Sequence, residues 1–223
     1  MDQTALEVKF NVLVICGFIF ATIVGTVSHE YGHIAVAKFL GYDTKLHYNK
    51  MSYTKSPYYL HQNVVDSLTS DEFEPLKKER VLESHWITLG GPIQTILVGV
   101  MGFVILWFRR KKRLKFDWKD WVSVFLTFFL ARQVFNFVVQ ILFYVNTGEH
   151  QLSGDEVSLA QYLEWPMYSI AFSTCLFSIL LCCITVFIFM PKLYRIRFIF
   201  SGVLGCGIGY FVWMVWLGPV LLP

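Results

Sequence analysis

The sequence predicts an all-α polytopic membrane protein of about five transmembrane helices, with a short β-hairpin after the first helix. Three observations carry that prediction. Of 223 residues, 55% are hydrophobic and only 16% charged, against the roughly 45–50% and 25% of an ordinary soluble domain. The apolar residues fall in runs long enough to cross a hydrocarbon layer of roughly 30 Å as helices, which satisfy their own backbone polar groups there. Several runs are edged by Trp or Tyr, whose amphipathic rings favour the water–lipid interface.

The five runs cover residues 10–40, 86–108, 121–144, 165–190 and 198–221. The first is longer than a membrane requires: about 30 residues at about 1.5 Å each extend about 45 Å, so this helix must tilt, bend or protrude. Residues 41–85 are polar. Within them Thr44-Lys-Leu-His-Tyr48 and Met51-Ser-Tyr-Thr54 flank Asn49-Lys50, an alternation that predicts a β-hairpin. Ser70-Asp-Glu-Phe-Glu-Pro75 combines capping residues with a proline near a helix start, so a helix is expected to begin there and run into the second span. Gly90-Gly91-Pro92 is expected to interrupt or kink that helix, because proline removes a backbone donor and glycine loosens the turn. No internal repeat or low-complexity tract divides the chain. Residues 1–164 read as the core of three spans with their loops, and residues 165–223 as two additional spans.

The net charge of +3 is modest and the basic residues are local, which argues against a nucleic-acid partner and for the lipid bilayer. The run Arg109-Arg-Lys-Lys-Arg-Leu-Lys115 belongs in the cytoplasm by the positive-inside rule, and Lys192, Arg195 and Arg197 fall on the same side two spans later. This reading puts the N-terminus inside and residues 41–85 and 146–164 outside. Cys16, Cys175, Cys182, Cys183 and Cys206 all lie in apolar runs, without the spacing of a disulfide framework or a zinc knuckle, and are expected to be small core residues. Asp2 and Glu7 stand where a signal peptide would be basic, so the first run is expected to stay in the mature, multi-pass protein.

The chemistry concentrates in Ser28-His29-Glu30-Tyr31-Gly32-His33, an H-E-x-x-H string inside an apolar helix. A spacing of four puts His29 and His33 on one helical face, where both imidazoles reach a single zinc ion, with Glu30 beside them to handle a water. Ionisable side chains in a membrane helix cost roughly 2.5–3.5 kcal/mol each on insertion scales, so three within five residues imply a metal or a water-filled cavity. The competing reading is a chance grouping of polar residues. Hydrolytic zinc usually takes three protein ligands. With the first and third spans running the same way, the third ligand is sought at the exit of the third span, among Glu149, His150, Asp155 and Glu156. Asp155 is preferred because Ser153-Gly154 precedes it and Val157, Leu159 and Ala160 follow, as if the acid opened a new turn. A solvated acidic loop is the bland alternative. Arg132, a charge inside the third span, needs a partner, for which Asp155 and Glu156 are the candidates. His61 and His85 read as ordinary loop or interfacial histidines.

Over residues 10–164 the chain resembles the site-2 protease family of intramembrane zinc metallopeptidases. Ser28-His-Glu-Tyr-Gly-His-Ile-Ala-Val-Ala-Lys-Phe-Leu-Gly41 is similar to that family's zinc helix, and Leu89-Gly-Gly-Pro-Ile-Gln94 to its glycine–proline motif. Asn136 and Asp155 are the nearest equivalents of its asparagine and zinc-binding aspartate, although here they stand further apart and without the proline that usually follows the asparagine. The resemblance implies a catalytic core of three helices. One Zn2+ per chain would be held by His29, His33 and Asp155, with Glu30 as catalytic base. Gly91 and Pro92 would bring the second span close to the metal site or shape substrate entry; a helix kink that only eases packing is at least as strong an alternative. Asn136 would serve substrate binding or structure. The reaction implied is hydrolysis of a peptide bond in or near a transmembrane segment of a membrane protein or peptide. The family places its zinc site toward the cytoplasm, opposite to the orientation that the basic run suggests, and both orientations stay open.

Two other function classes fit part of this pattern. A zinc-binding membrane scaffold without hydrolysis would have no chemical need for Glu30. A metal or proton carrier usually shows paired halves or matching broken helices, and the sequence has neither. Substrate recognition falls to the membrane helices, the 41–85 loop or an adaptor protein in the membrane.

Overall fold

The computed structural model describes residues 3–54, 70–111, 116–150 and 154–223. His61 and residues 112–115 of the basic run lie outside the described residues. Helix α1 (Gln3–Phe39) opens the chain and is closed by Gly41, whose φ of 84° suits glycine alone, with Tyr42 N–H returning to Ala37 O at 2.9 Å. The hairpin follows as β1 (Asp43–Leu46) and β2 (Met51–Thr54), antiparallel in the register Asp43↔Thr54 to Leu46↔Met51. Helix α2 (Ser70–Arg109) runs without a break through Gly90-Gly91-Pro92, so the expected interruption does not occur. These glycines instead let α2 meet α1 backbone to backbone: a Cβ on Gly90 would stand 2.4 Å from Gly32 O, and one on Gly32 2.5 Å from Gly90 O. Small residues serve membrane helices in this way, because lipid offers no hydrophobic drive and close van der Waals packing must bind them.

The third span is divided. Helix α3 (Trp118–Thr127) passes through a 3₁₀ turn, Phe128–Leu130, into α4 (Ala131–Thr147). The short α5 (Asp155–Tyr162) follows, then α6 (Ser169–Ile184) with a widened final turn over Thr185–Phe189. Helix α7 (Lys192–Phe211) continues through a second widened turn, Val212–Leu217, into α8 (Gly218–Leu221). Lys192, Arg195 and Arg197 therefore sit in the first turns of α7 rather than in a loop.

Five helical stretches, Glu7–Phe39, Lys78–Arg109, Trp118–Thr147, Ser169–Phe189 and Lys192–Leu221, are long and apolar enough to cross a membrane, which fits a multi-pass membrane protein. The partition of side chains agrees with lipid as solvent. Phe20, Phe200 and Val203 are mostly exposed, whereas Asp120, Thr127, Ser178 and Thr185 are fully buried. The five cysteines are free; only Cys175 is buried, and Cys16 and Cys183 face outward instead of joining the core. Helix α1 is the central element, with α2 and α7 packed along it. At its N-terminal end Phe18 meets Phe125, Phe128 and Phe198. There Arg197 pairs with Glu7 at 2.5 Å, and Arg109 with Asp117 and Asp120 at 2.7 and 2.8 Å. The hairpin lies at the opposite end, where Trp213 Nε1–H donates to Tyr48 O at 2.8 Å and Tyr48 N–H to Leu222 O at 2.9 Å.

Candidate metal centre

His29, Glu30 and His33 are 1%, 5% and 7% exposed, so the polar face of α1 is turned wholly inward. Each imidazole is oriented by its Nδ1. That of His33 lies 2.7 Å from Ile87 O, and because a carbonyl only accepts, this nitrogen carries the proton. Gly91 N–H stands further from the same nitrogen, at 3.3 Å, and the shorter contact decides the tautomer. His29 Nδ1 lies 2.9 Å from Thr95 Oγ1. Both Nε2 atoms are thereby aimed at a common point, and second partners of this kind characteristically fix metal-ligating histidines.

Asp155 completes the group. Gly154, at φ 126° and ψ 146°, takes a conformation open to glycine and places Asp155 as the first residue of α5. Its Oδ2 lies 2.8 Å from His29 Nε2 and 3.3 Å from His33 Nε2, while the two Nε2 atoms are 3.2 Å apart. Zinc with ligands at roughly 2.0–2.1 Å in a tetrahedron has ligand–ligand edges of about 3.3–3.4 Å. The observed triangle is slightly tighter than those edges, and one metal ion could touch all three donors. Burial would raise the Asp155 carboxyl, but the surrounding imidazoles outweigh that and hold it well below the usual carboxylate range, so it is an anion at neutral pH. Three electron-pair donors converging in a buried site repel one another unless a proton or cation lies between them. His29, His33 and Asp155 could hold a metal ion.

Around this triangle, Gly91 is as informative as the ligands. A Cβ there would lie 2.3 Å from His33 Nε2 and 2.6 Å from His29 Nε2, so only a bare backbone leaves the centre open. Pro92 is buried beside it in α2. Thr95, 2% exposed, was not singled out in the sequence; its only signal is a position four residues beyond Gly91, on the same face of α2. Gln94 joins α1 through a hydrogen bond to Ser28. Of the other acids and histidines near Asp155, His150 stacks on Tyr144 and bonds Tyr168 Oη at 3.1 Å, Glu149 is exposed, and His85 stacks on Tyr162. Glu156 is buried, and that burial beside Asp155 pushes its carboxyl up.

The triangle and Glu30 line a cavity of about 1140 Å³ that runs between α1, α4, α6 and α7. Met51 N–H of the hairpin donates to the Glu30 carboxylate, and Asn136 and Arg132 line the same space from α4. Arg132 stands within electrostatic range of Glu156 but forms no ion pair with it or with Asp155 among the described residues, contrary to the pairing expected. No protein-family model, curated protein or solved structure matches the chain. The functional reading therefore stands on the site itself.

Proposed function

We propose that the chain is a zinc-dependent intramembrane metalloendopeptidase, resembling the site-2 proteases, that hydrolyses a peptide bond in or near a transmembrane segment of a membrane-protein substrate. The observation that carries this reading is the convergence of His29 Nε2, His33 Nε2 and Asp155 Oδ2 within 3.3 Å of one another on the wall of a large cavity that Glu30 also lines. Two imidazoles and one carboxylate form a donor set suited to zinc rather than to calcium or magnesium, and three protein ligands leave one position for chemistry. When bound, zinc acidifies a water and polarises the scissile carbonyl.

The chain's own residues supply the remaining steps. Glu30 takes a proton as the water oxygen bonds to the carbonyl carbon and passes it to the nitrogen as the C–N bond breaks; the second water proton follows from the new acid to the amine, leaving a carboxylate and an ammonium. Ile87 O holds His33 in the tautomer whose Nε2 is free to bind, and Thr95 orients the His29 ring. Gly91 keeps the approach to the donors clear. The hairpin offers a place for an unwound substrate strand. His47 N–H bonds Lys50 O, so Lys45–Ser52 is the next mutually bonded pair, and Met51 and Tyr53 turn their backbone groups away from β1. That edge borders the cavity and suits strand addition. The test is cleavage of a transmembrane peptide by the detergent-solubilised protein. Wild type cuts, and Glu30→Gln keeps its zinc but loses about 10²–10⁴-fold in rate. Zinc-loaded wild type without cleavage would redirect the reading to a scaffold.

A further inference from the structure

We propose that Arg132 is an anion subsite of the cavity, selecting apolar substrates that carry a carboxylate close to the bond to be cut. This rests on the peptidase reading and names its substrate class. Arg132 follows the 3₁₀ turn that divides the third span and lines the cavity with His29, Glu30 and Asp155. Among the described residues it forms no ion pair, and its buried Nε has no hydrogen-bond partner. Two of the nearby acids are engaged elsewhere, Asp155 with both imidazoles and Glu30 with Met51 N–H, while Glu156, whose buried Oε1 also lacks a hydrogen-bond partner, feels Arg132 only beyond ion-pair distance.

A guanidinium at this depth costs roughly 2.5–3.5 kcal/mol to insert, and intramembrane charges are characteristically paired or face a functional cavity. With no protein carboxylate at ion-pair distance among the described residues, the partner that completes Arg132 comes with the ligand. Its planar fork of N–H donors matches a carboxylate through two parallel hydrogen bonds. The second cationic side chain on the cavity wall, Lys50, is exposed in the hairpin turn, so Arg132 is the one deep cationic side chain beside the metal centre and suits a single carboxylate. The surrounding wall includes Phe135, Val138, Ile179, Phe187 and Val203, which suits an apolar body. The carboxylate could come from a peptide C-terminus or from an acidic side chain.

The experiment measures binding of fluorescent apolar peptides to zinc-loaded Glu30→Gln protein in detergent, where turnover is blocked. One pair differs as C-terminal acid against amide, and a second pair differs as internal Glu against Gln. In at least one pair the acid should bind about tenfold or more tightly than its neutral twin, the scale of one charge-assisted hydrogen bond. The pair that discriminates identifies the source. With Arg132→Gln added, acid and neutral twins should bind alike at unchanged zinc content. Equal affinity within both pairs while Arg132 is present overturns the proposal, as does a preference that survives Arg132→Gln. The comparison within pairs decides even if that variant fails to fold. Should wild type bind no zinc or cut no peptide, the peptidase reading itself fails; equal affinities with zinc and cleavage intact defeat the subsite alone.

Discussion

At the scale of single residues, the centre depends on atoms that are missing as much as on those present. Gly91 faces both Nε2 atoms so closely that any side chain would occupy the space between them. Gly91→Ala should therefore abolish or strongly weaken zinc binding while every ligand is retained, measured as zinc content of the purified variant; full occupancy would show that α2 can shift away from α1. The sequence offered Gly91, with Pro92, as a place for the second span to approach the metal site, as a substrate-shaping motif or as a plain kink; which atoms it meets depends on how α2 crosses α1 and was not legible. His29, Glu30 and His33 were legible because four-residue spacing on a helix is a local property. Asp155 could only be preferred among Glu149, His150, Asp155 and Glu156, since the choice between them depends on how Gly154 turns the chain into α5. Thr95 and Ile87 O were invisible for the same kind of reason: their roles arise where α2 crosses α1.

Among the elements, the hairpin is the part whose sequence reading and structure agree most closely, differing by a residue or two at the ends of β1. Turn and alternation are short-range signals. The 3₁₀ turn at Phe128–Leu130 had no such signal, because its residues are as apolar as the helix on either side, and the interruption expected at Gly90-Gly91-Pro92 is absent because local helix-breaking tendency yielded to packing between α1 and α2. The outward edge of β2 yields a prediction. Tyr53→Pro removes an edge N–H without breaking a ladder bond, a position where proline is tolerated. It should lower peptide cleavage well below that of Tyr53→Ala, which loses the same ring contacts with Tyr42 and the bond to Ser84 but keeps the N–H. Zinc content should be equal in the two. Matching cleavage rates would remove strand addition from the mechanism.

Across the whole molecule, the centre joins α1 to α5 over a sequence separation of 126 residues and fastens both against α2. A bound ion should therefore stabilise the fold. At free zinc about 100-fold above its Kd the gain is about 2.7 kcal/mol, visible as a rise in unfolding temperature that a chelator reverses and that His33→Ala lacks. The relative placement of the ends, with α1 beginning beside Arg109 and Arg197 and the hairpin with Asp155 at the far side, follows the alternation of spans read from the sequence. The central claim is that His29, His33 and Asp155 bind catalytic zinc, and zinc stoichiometry tests it most directly. It should be measured on wild type, His29→Ala, Asp155→Asn and Glu30→Gln, with cleavage of a transmembrane peptide followed in parallel. One zinc per chain in wild type and in inactive Glu30→Gln, lost in His29→Ala and Asp155→Asn, is the predicted result. Wild type without zinc, or zinc undiminished in Asp155→Asn, would contradict it.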